Sequence, residues 1–134
     1  MNTEQHKQIA SELFARISSG RIADALALMT DDATWRIGGT PELSRSAGLY
    51  DKARLGRLFE RMLSQLEDGL KMTVVRLVGE GDRVAAEVES SGDLRNGRRY
   101  RQQYHFAIDF RGDHIVAIRE YLDTQHAFDV WMRP

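Results

Sequence analysis

The chain contains no cysteine, which excludes disulfides, thiolate zinc sites and cysteine nucleophiles. Only two of its 134 residues are proline, and no stretch reads as a linker or a low-complexity segment. Neither sign of charge is in excess. Nineteen Lys and Arg stand against 20 Asp and Glu, for a net charge of −1, and a general nucleic-acid binder normally carries a basic surplus. No apolar run is long enough to span a bilayer, and the opening MNTEQHKQIASELF lacks the apolar core of a signal peptide. A cytoplasmic protein that binds neither nucleic acid nor membrane is expected. His6, His105, His114 and His126 show no close metal-ligand spacing, so no metal is expected. The GEGD at residues 79–82 is followed by a strand pattern, which makes it a turn and not a phosphate loop. No cofactor is implied.

What is present is a chain of one-domain size, able to bury a core unaided. Residues 1–134 are read as a single domain. Apolar residues at Ile9, Ala10, Leu13, Phe14 and Ile17 have helical spacing and predict a helix over Thr3–Ser18, with Thr3 as its cap. A shorter helix is predicted over Arg21–Met29. A strand over Ala33–Ile37 follows, then a patternless loop from Gly38 to Leu49. Leu55, Leu58, Phe59, Met62, Leu63 and Leu66 form a wide stripe on a long helix over Tyr50–Asp68 that Asp51 can cap.

From there the period becomes two. Strands are predicted over Met72–Val78, Arg83–Ser91, Tyr100–Phe110 and His114–Leu122. Asn96-Gly97 and Arg111-Gly112-Asp113 supply the turns. The tail TQHAFDVWMRP is read as a short helix whose Ala127, Phe128 and Trp131 pack back. Helices that precede a run of consecutive strands define an α+β fold with a mostly antiparallel sheet.

Alternation assigns the faces. Tyr100, Gln102, Tyr104, Phe106, Ile108 and Phe110 share one face of their strand, which should turn toward the helices. Val116, Ile118, Glu120 and Leu122 share a face of the last strand, so an acid stands among apolar residues. In the strand at residues 83–91, hydrophobicity alone turns Val84, Ala86, Val88 and Ser90 inward.

The element order, the DDATW strand after two helices, GDRVAAEVES, the YHFAIDFRGDHI hairpin and the closing REYLDT resemble the nuclear transport factor 2-like superfamily. The likeness is greatest to its SnoaL-like and ketosteroid-isomerase-related members. The resemblance implies a cone: a curved, mostly antiparallel sheet wrapped around three N-terminal helices, with a cavity, in a homodimer formed through the outer sheet face. It also implies the opposite facing for residues 83–91, with Glu87 and Glu89 turned into the cavity beside Glu120. Three carboxylates gathered there would raise at least one pKa toward neutrality. The positions that match the acids of ketosteroid isomerases are Ile37 and Phe106, both apolar, which argues against steroid isomerisation by that route.

These readings define a candidate site. Glu120, Glu87 and Glu89 are the expected acid/base residues. Phe14, Trp35, Ile37, Tyr50, Phe59, Tyr104, Phe106, Ile118 and Leu122 are the expected ligand contacts. The ligand is a small apolar molecule with a polar group. The expected function is small-molecule binding, with cofactor-free isomerase, cyclase or hydrolase chemistry on a buried carboxyl. The alternative is a non-catalytic ligand-binding or dimeric scaffold domain. Fold membership alone does not choose between them.

Overall fold

The protein is described from a computed structural model covering residues 2–134. Helix α1 spans Thr3–Ser18 and α2 spans Ile22–Leu26. Strand β1 runs from Met29 to Ile37 and β2 from Gly48 to Tyr50. Helix α3 covers Lys52–Gln65, and four long strands follow: β3 Lys71–Glu80, β4 Arg83–Asp93, β5 Arg99–Arg111 and β6 His114–Leu122. The chain closes with α4, Thr124–Ala127, and a π-helical turn over Phe128–Met132.

The strands form one six-stranded sheet in the order β2-β1-β6-β5-β4-β3. All neighbours are antiparallel except β1 and β6, which run parallel. The fold is therefore α+β with a curved, open, mixed sheet and helices against its inner face. The expected meander is present from β3 to β6. β1 then returns beside β6, where the pairing becomes parallel because the intervening chain crosses over through helix and loop.

Local boundaries differ from the sequence reading for identifiable reasons. Asn2, not Thr3, caps α1: its side chain accepts from the Gln5 N–H while Gln5 reaches back to the Asn2 N–H. That reciprocal pair satisfies two donors at once, which Thr3 alone would not. Helix α2 stops at Leu26, because Met29 is already paired with Ile115 of β6. Helix α3 stops at Gln65, where Leu66 turns extended and bridges to Leu94. Gly48–Tyr50, expected as loop, is drawn into an edge strand by pairing with residues 35–37. Tertiary pairing overrode local pattern in the last three cases. Gly56 in α3 faces α2: a Cβ there would stand 3.4 Å from Leu26 Cδ1, so close helix packing accounts for it.

The core lies between the inner sheet face and the helices. Phe14 of α1 packs on Phe106 with ring centroids 4.9 Å apart, and Phe106 meets Trp35 edge-on at 5.8 Å. These rings fill one part of the space under the helices. The other part, bounded by α3 and the C-terminal segment, is not filled.

Candidate active site

That unfilled space is a pocket of about 340 Å³. Trp35 and Ile37 of β1, Tyr50 of β2, Leu55 and Phe59 of α3, and Tyr104, Glu120 and Leu122 of the sheet all line it. Most of the lining is apolar, so the few polar groups define what the pocket can do.

Glu120 is positioned by register. On β6 it stands opposite Phe106 of β5 on one side and Ile37 of β1 on the other. Both flanking residues are apolar. Just beyond β1, Gly38 donates its backbone N–H to the Glu120 carbonyl at 2.8 Å. A Cβ on Gly38 would come within 2.9 Å of that oxygen, so the absence of a side chain allows the close approach. The Trp35 indole N–H donates to Glu120 Oε1 at 2.9 Å. Glu120 is buried, and burial pushes its carboxyl up to about 7, with only the Trp35 hydrogen bond opposing the rise. No cation lowers it. Arg45 and Arg61 line the same pocket without pairing with it. A carboxyl held this way exchanges a proton near neutral pH, which is what a general acid or base requires.

A second polar group lies on β5. The hydroxyls of Tyr100 and Tyr104 are 3.0 Å apart. Ser90 donates to Tyr104 at 3.3 Å, and Gln102 donates to Tyr100 at 3.3 Å. Gln102 is fixed in turn by the Asp123 backbone, donating to its carbonyl and accepting from its N–H. Burial raises the Tyr100 hydroxyl to about 12 and the Tyr104 hydroxyl well above its ordinary value. Both phenols keep their protons at neutral pH, and one of the two protons is spent on the bond between them. Tyr50 is occupied differently, donating to the Ser46 carbonyl at 2.8 Å under the Arg54 guanidinium.

The tail completes the enclosure with Trp131 and Met132. Arg98, in the β4–β5 turn, holds it there. Its Nη1 donates to the carbonyls of Asp129, Val130 and Arg133 at 3.2, 3.3 and 2.7 Å. The basic hairpin tip is therefore partly a clasp on the C-terminal segment.

Seven of the expected residues meet at this pocket: Trp35, Ile37, Tyr50, Phe59, Tyr104, Glu120 and Leu122. Phe14, Phe106 and Ile118 do not line it. They are fully buried in the core and support the lining from behind. Glu87 and Glu89 do not face it at all. Val84, Ala86, Val88 and Ser90 are the buried face of β4, and both glutamates are exposed on the opposite face. Hydrophobic alternation was the correct guide there, and the facing taken from the family resemblance is overturned. Burying two further carboxylates beside Glu120 without a cation would cost several kcal/mol. Glu87 instead lies 3.9 Å from Arg76 on the outer surface.

Tyr100, Trp131 and Met132 were not expected as site residues. Tyr100 carries a signal, since it shares its face with Tyr104. Trp131 was expected to pack back, but no pattern in the sequence told which surface the tail would cover. Among the described residues, no group of three or more His, Asp or Glu side chains is arranged to hold a metal ion. No described helix is long and apolar enough to cross a membrane.

A curved, open, mixed sheet of six strands with helices on one face matches the fold of the nuclear transport factor 2-like superfamily. An NTF2-like protein from Burkholderia xenovorans LB400 is 26% identical, with a TM-score of 0.75 over 97% of this chain and 98% of its own. Bal32a, from a soil-derived mobile gene cassette, superposes with a TM-score of 0.84 at 20% identity over 96% of this chain and 98% of its own. The pinacolase BvnE of Penicillium brevicompactum has a TM-score of 0.79 at 15% identity, covering 94% of this chain and 91% of its own. Within that superfamily, the chain belongs to the SnoaL-like domain family, which matches residues 10–118. No curated protein matches the chain in sequence. Glu120 and Trp131 both lie beyond the family-matched residues, so the case for them rests on the pocket itself.

Proposed function

We propose that the pocket binds a small, largely apolar molecule carrying a polar group, and that Glu120 moves a proton on it without a cofactor. Isomerisation, cyclisation, dehydration and hydrolysis can each be served by such a group. The observation that carries this reading is a buried carboxyl that pairs with neither pocket arginine, raised to about 7 by burial, in a largely apolar pocket of about 340 Å³. Ile37 and Phe106 flank it where ketosteroid isomerases carry acids, so the chemistry is drawn toward a single-carboxyl mechanism. Glu87 and Glu89 take no part in it.

The Trp35–Glu120 hydrogen bond favours a second reading. In that reading the carboxyl only orients a bound ligand, and the protein is a non-catalytic binding domain or dimeric scaffold. The test is a thermal-shift screen of small apolar carbonyl, epoxide and lactone compounds, followed by turnover assays of each ligand found. The catalytic reading expects turnover that Glu120→Gln abolishes while binding persists. Turnover unchanged in Glu120→Gln would remove Glu120 from the mechanism.

The whole chain acts as one SnoaL-like domain in this proposal, working in the cytoplasm as a homodimer through the outer sheet face. Ala85, Ala107 and Ala117 put small, half-buried side chains on that face across three strands, beside a partly buried Arg119–Asp109 pair at 2.9 Å. Sedimentation at micromolar concentration should give a dimer, and a monomer there would count against this contact.

A further inference from the structure

One side of the pocket holds more hydrogen-bond donors than acceptors. Ser90 donates to the Tyr104 hydroxyl, and Gln102 donates to that of Tyr100. The bond between the two phenols, 3.0 Å long, uses one of their two protons whichever of them donates. The other phenolic proton has no acceptor among the described residues. Trp131 adds a second unspent donor. Its ring meets Tyr100 edge-on with centroids 5.2 Å apart, and its buried indole N–H lies near the Tyr100 hydroxyl without completing a hydrogen bond of full geometry to it or to any other described residue. Tyr100, Tyr104 and Trp131 all line the pocket. A buried donor left without an acceptor is costly, so adjacent ones call for an acceptor from outside the chain.

We infer that Trp131 and the Tyr100–Tyr104 pair form a recognition site for one acceptor oxygen, the carbonyl oxygen of an otherwise apolar ligand. The inference rests on the reading of the pocket as a ligand site and narrows what enters it. A carbonyl oxygen has two lone pairs and can accept from both donors at once. A hydrocarbon of the same shape fills the apolar space but leaves both donors unpaired. An amine brings donors of its own. Glu120 belongs to the same chamber, since its charge opposes ionisation of both phenols. A carbonyl held by the tyrosines and Trp131 would therefore share the pocket with the proton carrier. Arg98 grips the tail that carries Trp131, which makes ligand selection a property of the C-terminal segment as well as the sheet.

The test uses 2-acetylnaphthalene and 2-isopropenylnaphthalene, which differ by an oxygen in place of a methylene. Affinities of the full chain are measured by calorimetry. The two indole N–H signals are followed by proton–nitrogen NMR, with Trp131→Phe used to assign them. The ketone is expected to bind about tenfold tighter or better, because a site built to bond an oxygen discriminates against its absence. The Trp131 N–H signal should move downfield with the ketone and not with the alkene. Trp131→Phe should lower the preference severalfold. The double variant Tyr100→Phe/Tyr104→Phe should do the same, and either single substitution should lower it less, since one phenolic proton then remains unspent. Equal affinity for the two compounds, with the Trp131 signal unmoved, would overturn the inference and leave the pocket standing as an apolar binding site. Binding of neither compound would overturn both readings. The wild-type NMR comparison decides the matter even where a tyrosine variant fails to fold.

Discussion

Two glutamates of one sheet differ by a single step along β5. Glu87 of β4 stands beside His105, and Glu120 of β6 stands beside Phe106. Successive residues of a strand point to opposite faces, so that step separates solvent from the pocket. Glu87 is exposed, with an arginine nearby on the surface. Glu120 is buried against apolar neighbours, accepts one indole N–H and is pushed up to about 7. The residue type is the same and the strand environment is similar. What separates a solvated surface charge from a candidate proton carrier is the face, set by the apolar residues on either side in sequence.

The largest expected effect lies in the pair that marks this step. Phe106→Ala should cost about 3–5 kcal/mol of stability, the range for deleting a buried aromatic ring. His105→Ala, one residue away on the exposed face, should change stability by under about 0.5 kcal/mol. Chemical denaturation of both variants checks this. A His105→Ala loss as large as that of Phe106→Ala, independent of protein concentration, would erase the contrast.

Next in size is the cost of ionising Glu120. Its carboxyl rises from the ordinary 4.5 to about 7 in the folded protein. Between those values the folded chain holds a proton that the unfolded chain has released. Stability from this group is therefore full below about pH 4.5, falls as the pH rises toward 7, and stays at its lower level above that. At about 1.4 kcal/mol per pH unit, the change is on the order of 3 kcal/mol. Glu120→Gln cannot ionise and can still accept the Trp35 N–H through its amide oxygen. It should be more stable than the wild type at pH 8, by up to about 3 kcal/mol, and should lose this pH dependence. Unfolding series at pH 5 and pH 8 measure both. The same substitution should end turnover, and gained stability with lost activity is the pattern expected where a strained group is functional.

The smallest effect belongs to the outer acids. Glu87→Gln and Glu89→Gln should each change the stability of the single subunit, the part independent of protein concentration, by under about 0.5 kcal/mol, because exposed charges contribute little. Both should leave ligand affinity in the pocket as it is. A loss of affinity in either would return that strand to the site.

The sheet was legible because alternation is a strong signal where one face is buried. Tyr100 to Phe110 declared its inward set, and so did the last strand from Ile118 on, Glu120 among them; at the start of β6 an irregularity beside Asp109 and Phe110 buries Ile115, where alternation pointed to Val116. The facing of β4 was equally legible from Val84, Ala86 and Val88, and the error came from letting family resemblance outweigh those valines. Phe14, Phe106 and Ile118 were misplaced because sequence marks a residue as inward without telling whether it packs against a helix or borders open space. That depends on where α1 ends and α3 stands, which is a property of the assembled layers. The indole partner of Glu120 was missed for the same reason. Trp35 and Glu120 lie 85 residues apart, and only the parallel pairing of β1 with β6 brings them together. The tail was least legible. Trp131 reaches the pocket through a π-helical turn held by Arg98, and nothing in its local sequence announces either.

The claim on which the rest depends is that Glu120 holds its proton near neutrality. Carbon-13 titration of the glutamate side-chain carboxyls, with Glu120→Gln to assign the signal, measures it directly. The account predicts a midpoint for Glu120 at about 7, clearly separated from those of Glu87 and Glu89. A Glu120 midpoint at the ordinary 4.5 would contradict it.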